Sequence, residues 1–487
     1  MLHKCRGRIF PAGCSLMLAL AAATSQAAAS RSLGDLSGAW QLFVDDSLIA
    51  NKQDVSRSYH AFEKHAGNPV LKADRPWEGS TVYLYGSVLP MEQGPGYRMW
   101  YHTWDGHDYR MAYATSLDGL RWDKPALGLI AYEGSSTNNL FLRRTHEDHN
   151  PQVIHTPWES DPKRHYTLLN YDYGRTPPAN TVSGYYAAWS EDGIHWSDAP
   201  KNPVLPDPGD VGNFVWDPLG KRYLGFPKKF AEVRGFNRRC CGVSHTSDAA
   251  AWPPAELVLT PDEYDDRWVA APGQHTDFYG LCGFAYESMY LGFLWIFRIT
   301  DGKNDGPIFV ELVSSRDGVH WLRQEAPRTP LLALGADGAW DDGMIFTPNH
   351  PLVEGDAIKL FYGGFDGTHG VDTCGAAIGL ATLRKGGFVS LDAGETEGVI
   401  ETRDLSGPYG TLALNFSARN GTVRVEVLDS AGAVLPGFAR EACAPLSGDS
   451  VEQAVVWKDA RTLPKDKGPL RLRFFLRNAS LYGFRIL

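Results

Sequence analysis

Apolar residues along this chain come in short runs, such as Val82-Tyr-Leu-Tyr85, Tyr97-Arg-Met-Trp-Tyr101 and Met289-Tyr-Leu-Gly-Phe293, separated by clusters of Gly, Pro, Asp and Asn. Almost nowhere do they recur with the 3.6-residue period of an amphipathic helix. Runs of aromatic and β-branched residues bounded by turn formers predict strands, so the chain reads as all-β.

An internal repeat organises those strands. Ser116-Leu-Asp118-Gly119-Leu-Arg-Trp122 recurs as Ser190-Glu-Asp192-Gly193-Ile-His-Trp196 and as Ser315-Arg-Asp317-Gly318-Val-His-Trp321. A degenerate copy keeps Ser247, Asp248 and Trp252, and an eroded one runs from Thr382 to Phe388. Asp accepts amide hydrogen bonds, Gly supplies a positive φ and Trp folds back to pack between sheets, so each copy predicts a hairpin staple. Five copies spaced for four-stranded sheets predict a five-bladed β-propeller. Asn68-Pro-Val-Leu71, Asn202-Pro-Val-Leu205 and the looser Thr329-Pro-Leu-Leu332 mark outer strands. After Gly394 the motif stops and alternating strands such as Val423-Arg-Val-Glu-Val-Leu428 predict a small β-sandwich. The resulting division is 1–29, 30–70 as a lead-in whose Trp40 to Asp46 segment helps close the ring, 71–394 as the propeller, and 395–487 as the sandwich.

Residues 1–29 have the makings of a cleaved signal peptide: Lys4, Arg6 and Arg8 precede an apolar stretch and then small residues. The expected location is secreted or periplasmic. No later apolar run is long enough to span a membrane. A net charge of -10 offers no broad positive field for phosphates, which argues against nucleic acid as a partner. Five of the seven cysteines lie beyond the signal segment, an odd number without CxxC spacing, so most are expected as buried thiols and zinc is unsupported. No cofactor or metal is expected, although His146, His149 and His275 stand near Asp148 and Asp277.

An acidic residue precedes the first strand of each expected blade: Glu78, Asp148, Asp210, Asp277 and Asp342. First strands of a propeller all start on one face, so these acids are expected around the mouth of the central channel. Crowded carboxylates differ in pKa, which suits one to donate a proton while another stays ionised, as glycoside cleavage requires. Loops between second and third strands return to the same face and bring Trp104 and Asp105, Asp172, Arg234, Arg298, and Asp366 with His369 as candidate sugar contacts.

The repeat, and the Asn68-Pro-Val-Leu to Pro76-Trp77-Glu78 entry into the first blade, resemble the five-bladed propeller glycosidases. That superfamily holds the invertases and levanases of family 32, the arabinanases and xylosidases of family 43 and the mannoside phosphorylases of family 130. The layout is closest to family 32, in which a β-sandwich follows the ring. The resemblance covers about Asn68 to Gly394 and implies catalytic carboxylates at Glu78, Asp148 and Asp210, with Asp277 and Asp342 binding substrate. The Trp-Met-Asn-Asp-Pro, Arg-Asp-Pro and Glu-Cys motifs of family 32 are absent. The expected function is a secreted glycoside hydrolase acting on an oligo- or polysaccharide. The alternatives are a propeller that binds glycan without cleaving it, and a sialidase-like hydrolase using a pair such as Tyr286 and Glu287.

Overall fold

The computed structural model describes residues 38–487 except 144–147, 175–181, 207–208, 372, 408 and 466. The expected signal segment and His146 lie outside the described residues.

Five antiparallel meanders follow one another. Blade 1 comprises Thr81–Pro90, Tyr97–Trp104, Tyr109–Ser116 and Leu140–Leu142; blade 2 comprises His149–His155, Tyr166–Asp172, Gly184–Ser190 and Ser197–Asp198. Blade 3 is Gly212–Asp217, Arg222–Val233, Phe236–Thr246 and Glu256–Leu259; blade 4 is His275–Tyr286, Met289–Ile299, Ile308–Ser315 and Trp321–Arg323. Blade 5 takes Met344–Phe346, Ala357–Phe365 and Ala376–Arg384 from late in the chain, and its outer edge from Glu63–Lys64 and Leu71–Lys72 near the start. The ring is thus closed by pairing across its two ends, which leaves no exposed edge at the seam. The fold is an all-β, five-bladed propeller followed by a second β-rich domain.

The repeated motif sits between the third and fourth strands and has the predicted chemistry. Ser116 Oγ accepts from the Gly119 amide at 2.8 Å, and Asp118 Oδ1 accepts from the amides of Leu120 and Arg121 at 2.7 and 2.9 Å. The copies at Asp192 and Asp317 repeat these bonds. Gly119, Gly193 and Gly318 all have φ near +77° (78, 78 and 76). A Cβ at Gly193 would meet Trp100 of blade 1 at 2.9 Å, and one at Gly318 would meet Tyr290 and Leu224. Each staple therefore presses onto the preceding blade, and glycine is required there both for φ and for the close approach.

The segment Trp40 to Asp46 goes elsewhere than to the ring seam. Gln41–Leu42 pairs with Phe484 and Gly483, Ile49–Gln53 with Gly398–Thr402, and Ser56–Tyr59 with Val389–Ala393. The C-terminal sheet thus begins at Val389 and includes three strands from the lead-in. Its backbone is the long strand Leu412–Asp429, which pairs with Ala479–Ile486 along its first half and with Leu470–Arg477 along its second. In Leu470–Arg477 every second residue is buried (Leu470, Leu472, Phe474, Leu476) while Arg471, Arg473 and Arg477 face outward. That alternation folds the sheet about one core with Phe43, Leu414, Trp457 and Phe484. All five described cysteines are free thiols, four of them buried. No described helix is long and apolar enough to cross a membrane.

Candidate functional site at the channel mouth

The mouth is the face where the first strands start, and the second strand of each blade ends there. Strand alternation puts Tyr83 and Tyr85 of blade 1 on the channel side, with Tyr279 of blade 4 opposite; Tyr85 packs against Phe346 at 4.7 Å and Tyr279 against the same ring at 5.5 Å. Above them His149 stacks on Tyr173 at 5.1 Å and lies 5.5 Å from Tyr109. His369, from the blade 5 loop, shares a hydrogen bond with the Tyr279 hydroxyl at 3.1 Å.

Four charged groups from blades 3 and 4 meet among these rings. Asp210 forms an ion pair through Oδ1 with Lys228 and accepts from the Tyr173 hydroxyl through Oδ2 at 2.5 Å. Arg239 donates to Asp277 Oδ2 at 2.8 Å, and His275 Nε2 stands 3.4 Å from Oδ1. Lys228 feels Asp210, Arg239 and Asp277 together, so the four form one alternating electrostatic cluster. Burial pushes the Asp210 carboxyl up, but Lys228, His149 and the Tyr173 hydrogen bond outweigh it and hold the group well below the usual carboxylate range. Burial lowers the Lys228 ammonium, opposed by Asp210. Burial also lowers His369, with Arg239 and Lys228 repelling its proton, and raises the Tyr173 and Tyr279 hydroxyls beside Asp210. The Asp210 side chain keeps 26 % of its surface exposed, against 2 % for Asp277. Among the described residues Asp210 is thus an accessible ionised carboxylate in a tyrosine-lined, cation-flanked recess.

The other expected acids are placed differently. Glu78 is fully buried inside blade 1, where the short Pro76–Glu78 turn rotates it away from the channel. Its oxygens take Lys124 at 2.6 Å, the Tyr101 hydroxyl at 2.7 Å and the amides of Asp74 and Arg75. Three of these donors converge on Oε2 and Tyr101 holds Oε1, so the buried carboxyl is engaged within blade 1 and does not face the mouth where its role was expected. Asp341, rather than Asp342, plays the matching part in blade 5, bound to Lys64 at 2.6 Å and to the Tyr362 hydroxyl at 2.9 Å. Asp342 accepts from the Gly338 amide at 2.6 Å and caps a turn. Asp148 is buried beside the mouth and accepts from Asn170 at 3.0 Å.

Among the expected sugar contacts, His369 lies in the recess and Trp104 stands at its rim, 4.6 Å from Tyr109. Asp105 holds the amides of its own turn and Arg110, Asp172 accepts from the Gly174 amide, and Asp366 accepts from the Gly375 amide. Arg234 is tied to Asp266 and to the carbonyls of Pro261 and Asp262, and Arg298 lies over Trp268 and Phe309. Tyr286 and Glu287 lie at the opposite end of their strand, where Glu287 accepts from the Trp40 amide at 3.0 Å and Tyr286 packs on Phe388. This removes them as a nucleophile pair at the mouth. Sequence reasoning missed the rings of Tyr83, Tyr85, Tyr109 and Tyr279 and, among the charged groups, Arg239: alternation along Phe236–Thr246 sends Arg238 into the Asp266 contact and therefore Arg239 to the channel side. Among the described residues no group of three His, Cys, Asp or Glu side chains is arranged to hold a metal ion.

No family model matches the chain, and no curated protein matches it. Solved structures that it resembles include an N-acetylgalactosamine deacetylase from F. plautii in complex with blood group B trisaccharide, at 15 % identity and a TM-score of 0.45, covering 68 % of this chain and 96 % of that one. A β-1,2-mannobiose phosphorylase from Listeria innocua aligns at 12 % identity and a TM-score of 0.44, over 66 % of this chain and 96 % of its own. A glycosyl hydrolase from Bacteroides ovatus aligns at 14 % identity and a TM-score of 0.45, over 67 % of this chain and 94 % of its own. These are remote likenesses, so any functional reading has to rest on the side chains at the mouth.

Proposed function

We propose that the mouth binds and cleaves a glycoside, outside the cytoplasm if the basic, apolar and small-residue order of residues 1–29 directs export. The observation that carries this reading is Asp210: an ionised, partly exposed carboxylate held by Tyr173 and Lys228, with Asp277 in the same electrostatic cluster. An ionised carboxylate is what stabilises or traps the positive charge that grows at the anomeric carbon as the glycosidic bond breaks. The tyrosine rings supply faces for sugar C–H surfaces, and Lys228, Arg239 and His369 supply donors and acceptors for hydroxyls. Asp277 is the second carboxyl of the pair.

A second reading, binding without cleavage, is favoured by one feature. Asp210 is held ionised and Asp277 is already paired with Arg239, so neither is set up as a proton donor until substrate rearranges the cluster.

The two readings separate in one experiment. Wild type, Asp210→Asn and Asp277→Asn are incubated with a panel of plant, algal and microbial oligosaccharides, and both reducing-end release and affinity are measured. Cleavage predicts turnover by the wild type that falls by at least about 100-fold in Asp210→Asn. Affinity without turnover in any of the three leaves the binding reading, and unchanged turnover in both variants refutes the site.

A further inference from the structure

The opposite end of the channel holds a second cavity, of 330 Å³. The first strands of blades 1 to 4 run out there at Leu89, Ile154, Val215 and Phe284, and blade 5 adds Pro351 from the break after its own first strand. Its volume is at the lower end of the roughly 300–1,000 Å³ that small-molecule sites occupy. Three observations describe what fits it. Trp158 and Trp216 line it with ring centroids 5.5 Å apart, and Trp158 is 59 % exposed, an unusual state for so large an apolar surface. Next, no Asp, Glu, Lys or Arg among the described residues lines the cavity, so none of them offers a charged ligand a counter-ion. Finally, beside His155 and Tyr286 its lining holds two acceptors without a bound donor. The Asn349 amide nitrogen is spent on the carbonyls of Val153 and Phe214, at 3.3 and 3.0 Å, which leaves Oδ1 buried with no partner. His350 has a carbonyl, that of Pro351, at 3.0 Å from Nδ1; Nδ1 must therefore carry the proton, and Nε2 is an acceptor. Burial lowers its pKa, which keeps the ring neutral.

An aromatic shelf, hydrogen-bond acceptors without a bound donor and no charge together specify a neutral ring with an apolar face and hydroxyl donors. We propose that this cavity is a second binding site, for a neutral sugar ring stacked on Trp158 and Trp216 with a hydroxyl directed to His350. It lies at the far end of the channel from Asp210 and does not depend on the mouth being catalytic.

The test uses the whole protein and methyl glycosides of neutral hexoses and pentoses, with the corresponding disaccharides, followed by tryptophan fluorescence and calorimetry. Asp210→Asn is the reference, because it removes turnover at the mouth without touching the back cavity, and the added Trp158→Ala change then separates back-site sugar from any sugar the mouth still holds. Trp158→Ala is the test variant; its side chain is exposed, so folding is expected to survive, and circular dichroism checks this. The expected result is saturable binding of at least one of these sugars by Asp210→Asn, weakened about tenfold or more when Trp158→Ala is added. The proposal is overturned if Asp210→Asn binds none of the panel, or if the added Trp158→Ala change leaves affinity as it was. Loss of turnover in Asp210→Asn with no back-site binding would sink this proposal alone, and back-site binding with normal turnover would sink the mouth reading alone.

Discussion

Glu78 and Asp210 both stand just before the first strand of a blade, and their surroundings send them to different tasks. Glu78 lies under Lys124, whose side chain is only 4 % exposed, and joins it to the Tyr101 hydroxyl and two amides. Removing the charge leaves the buried ammonium with the more exposed Asp74, at 2.7 Å, as its ion-pair partner. The change Glu78→Gln is therefore expected to lower stability by about 2 kcal/mol, read from urea unfolding, while a catalytic Glu78 would instead cost activity at unchanged stability. Sequence reasoning found that an acid opens each blade, because position before a strand is local information. It could not tell which acids face the channel, since that depends on a three-residue turn at Pro76–Glu78 and on a lysine forty-six positions away. Asp341 was passed over for Asp342 for the same reason: adjacent acids differ only in which way the turn points them.

At the scale of the element, the hairpin staple was fully legible because its chemistry is contained in seven consecutive residues. Asp192 and Asp317 each accept two backbone amides and face a histidine of the same turn. Burial acts to raise them, but the amide and histidine contacts prevail and bring both down to about 2. A carboxylate depressed in the folded state stabilises it fully above the unfolded pKa, near 4, and that contribution disappears as pH falls through the folded value. Thermal melts of Asp192→Asn against wild type should then differ by about 1–2 °C at pH 7, with the gap shrinking between pH 4 and pH 2. A gap that stays constant over that range would mean the charge is irrelevant and only turn geometry counts. Where the element depended on alternation within a strand, legibility was partial. In blade 3 the strands Arg222–Val233 and Phe236–Thr246 occupy most of the stretch that the sequence reading gave to a loop, so no alternation was assigned there and Arg239 escaped notice.

At the scale of the whole molecule, five blades and a trailing β domain were legible because repeats and changes of texture register along the chain. The joins were not. Ser56–Tyr59 pairs with Val389–Ala393, and Glu63–Lys64 with Ala376–Arg384, contacts between residues more than three hundred positions apart that leave no local trace. The second join matters for function, because it completes blade 5, whose Ala376 pairs with Thr81 of blade 1 beside the channel on which Tyr83, Tyr85 and Tyr279 converge. The central claim is that sugar chemistry belongs to the mouth bounded by blades 2, 3 and 4. Its most direct test is a crystal structure of Asp210→Asn soaked with the oligosaccharide that the wild type binds or cleaves. The account predicts a sugar ring in the recess, in contact with residue 210 or Arg239 and stacked on Tyr173 or Tyr279. Sugar bound only on the C-terminal sheet, with the recess empty at saturating concentration, would contradict it.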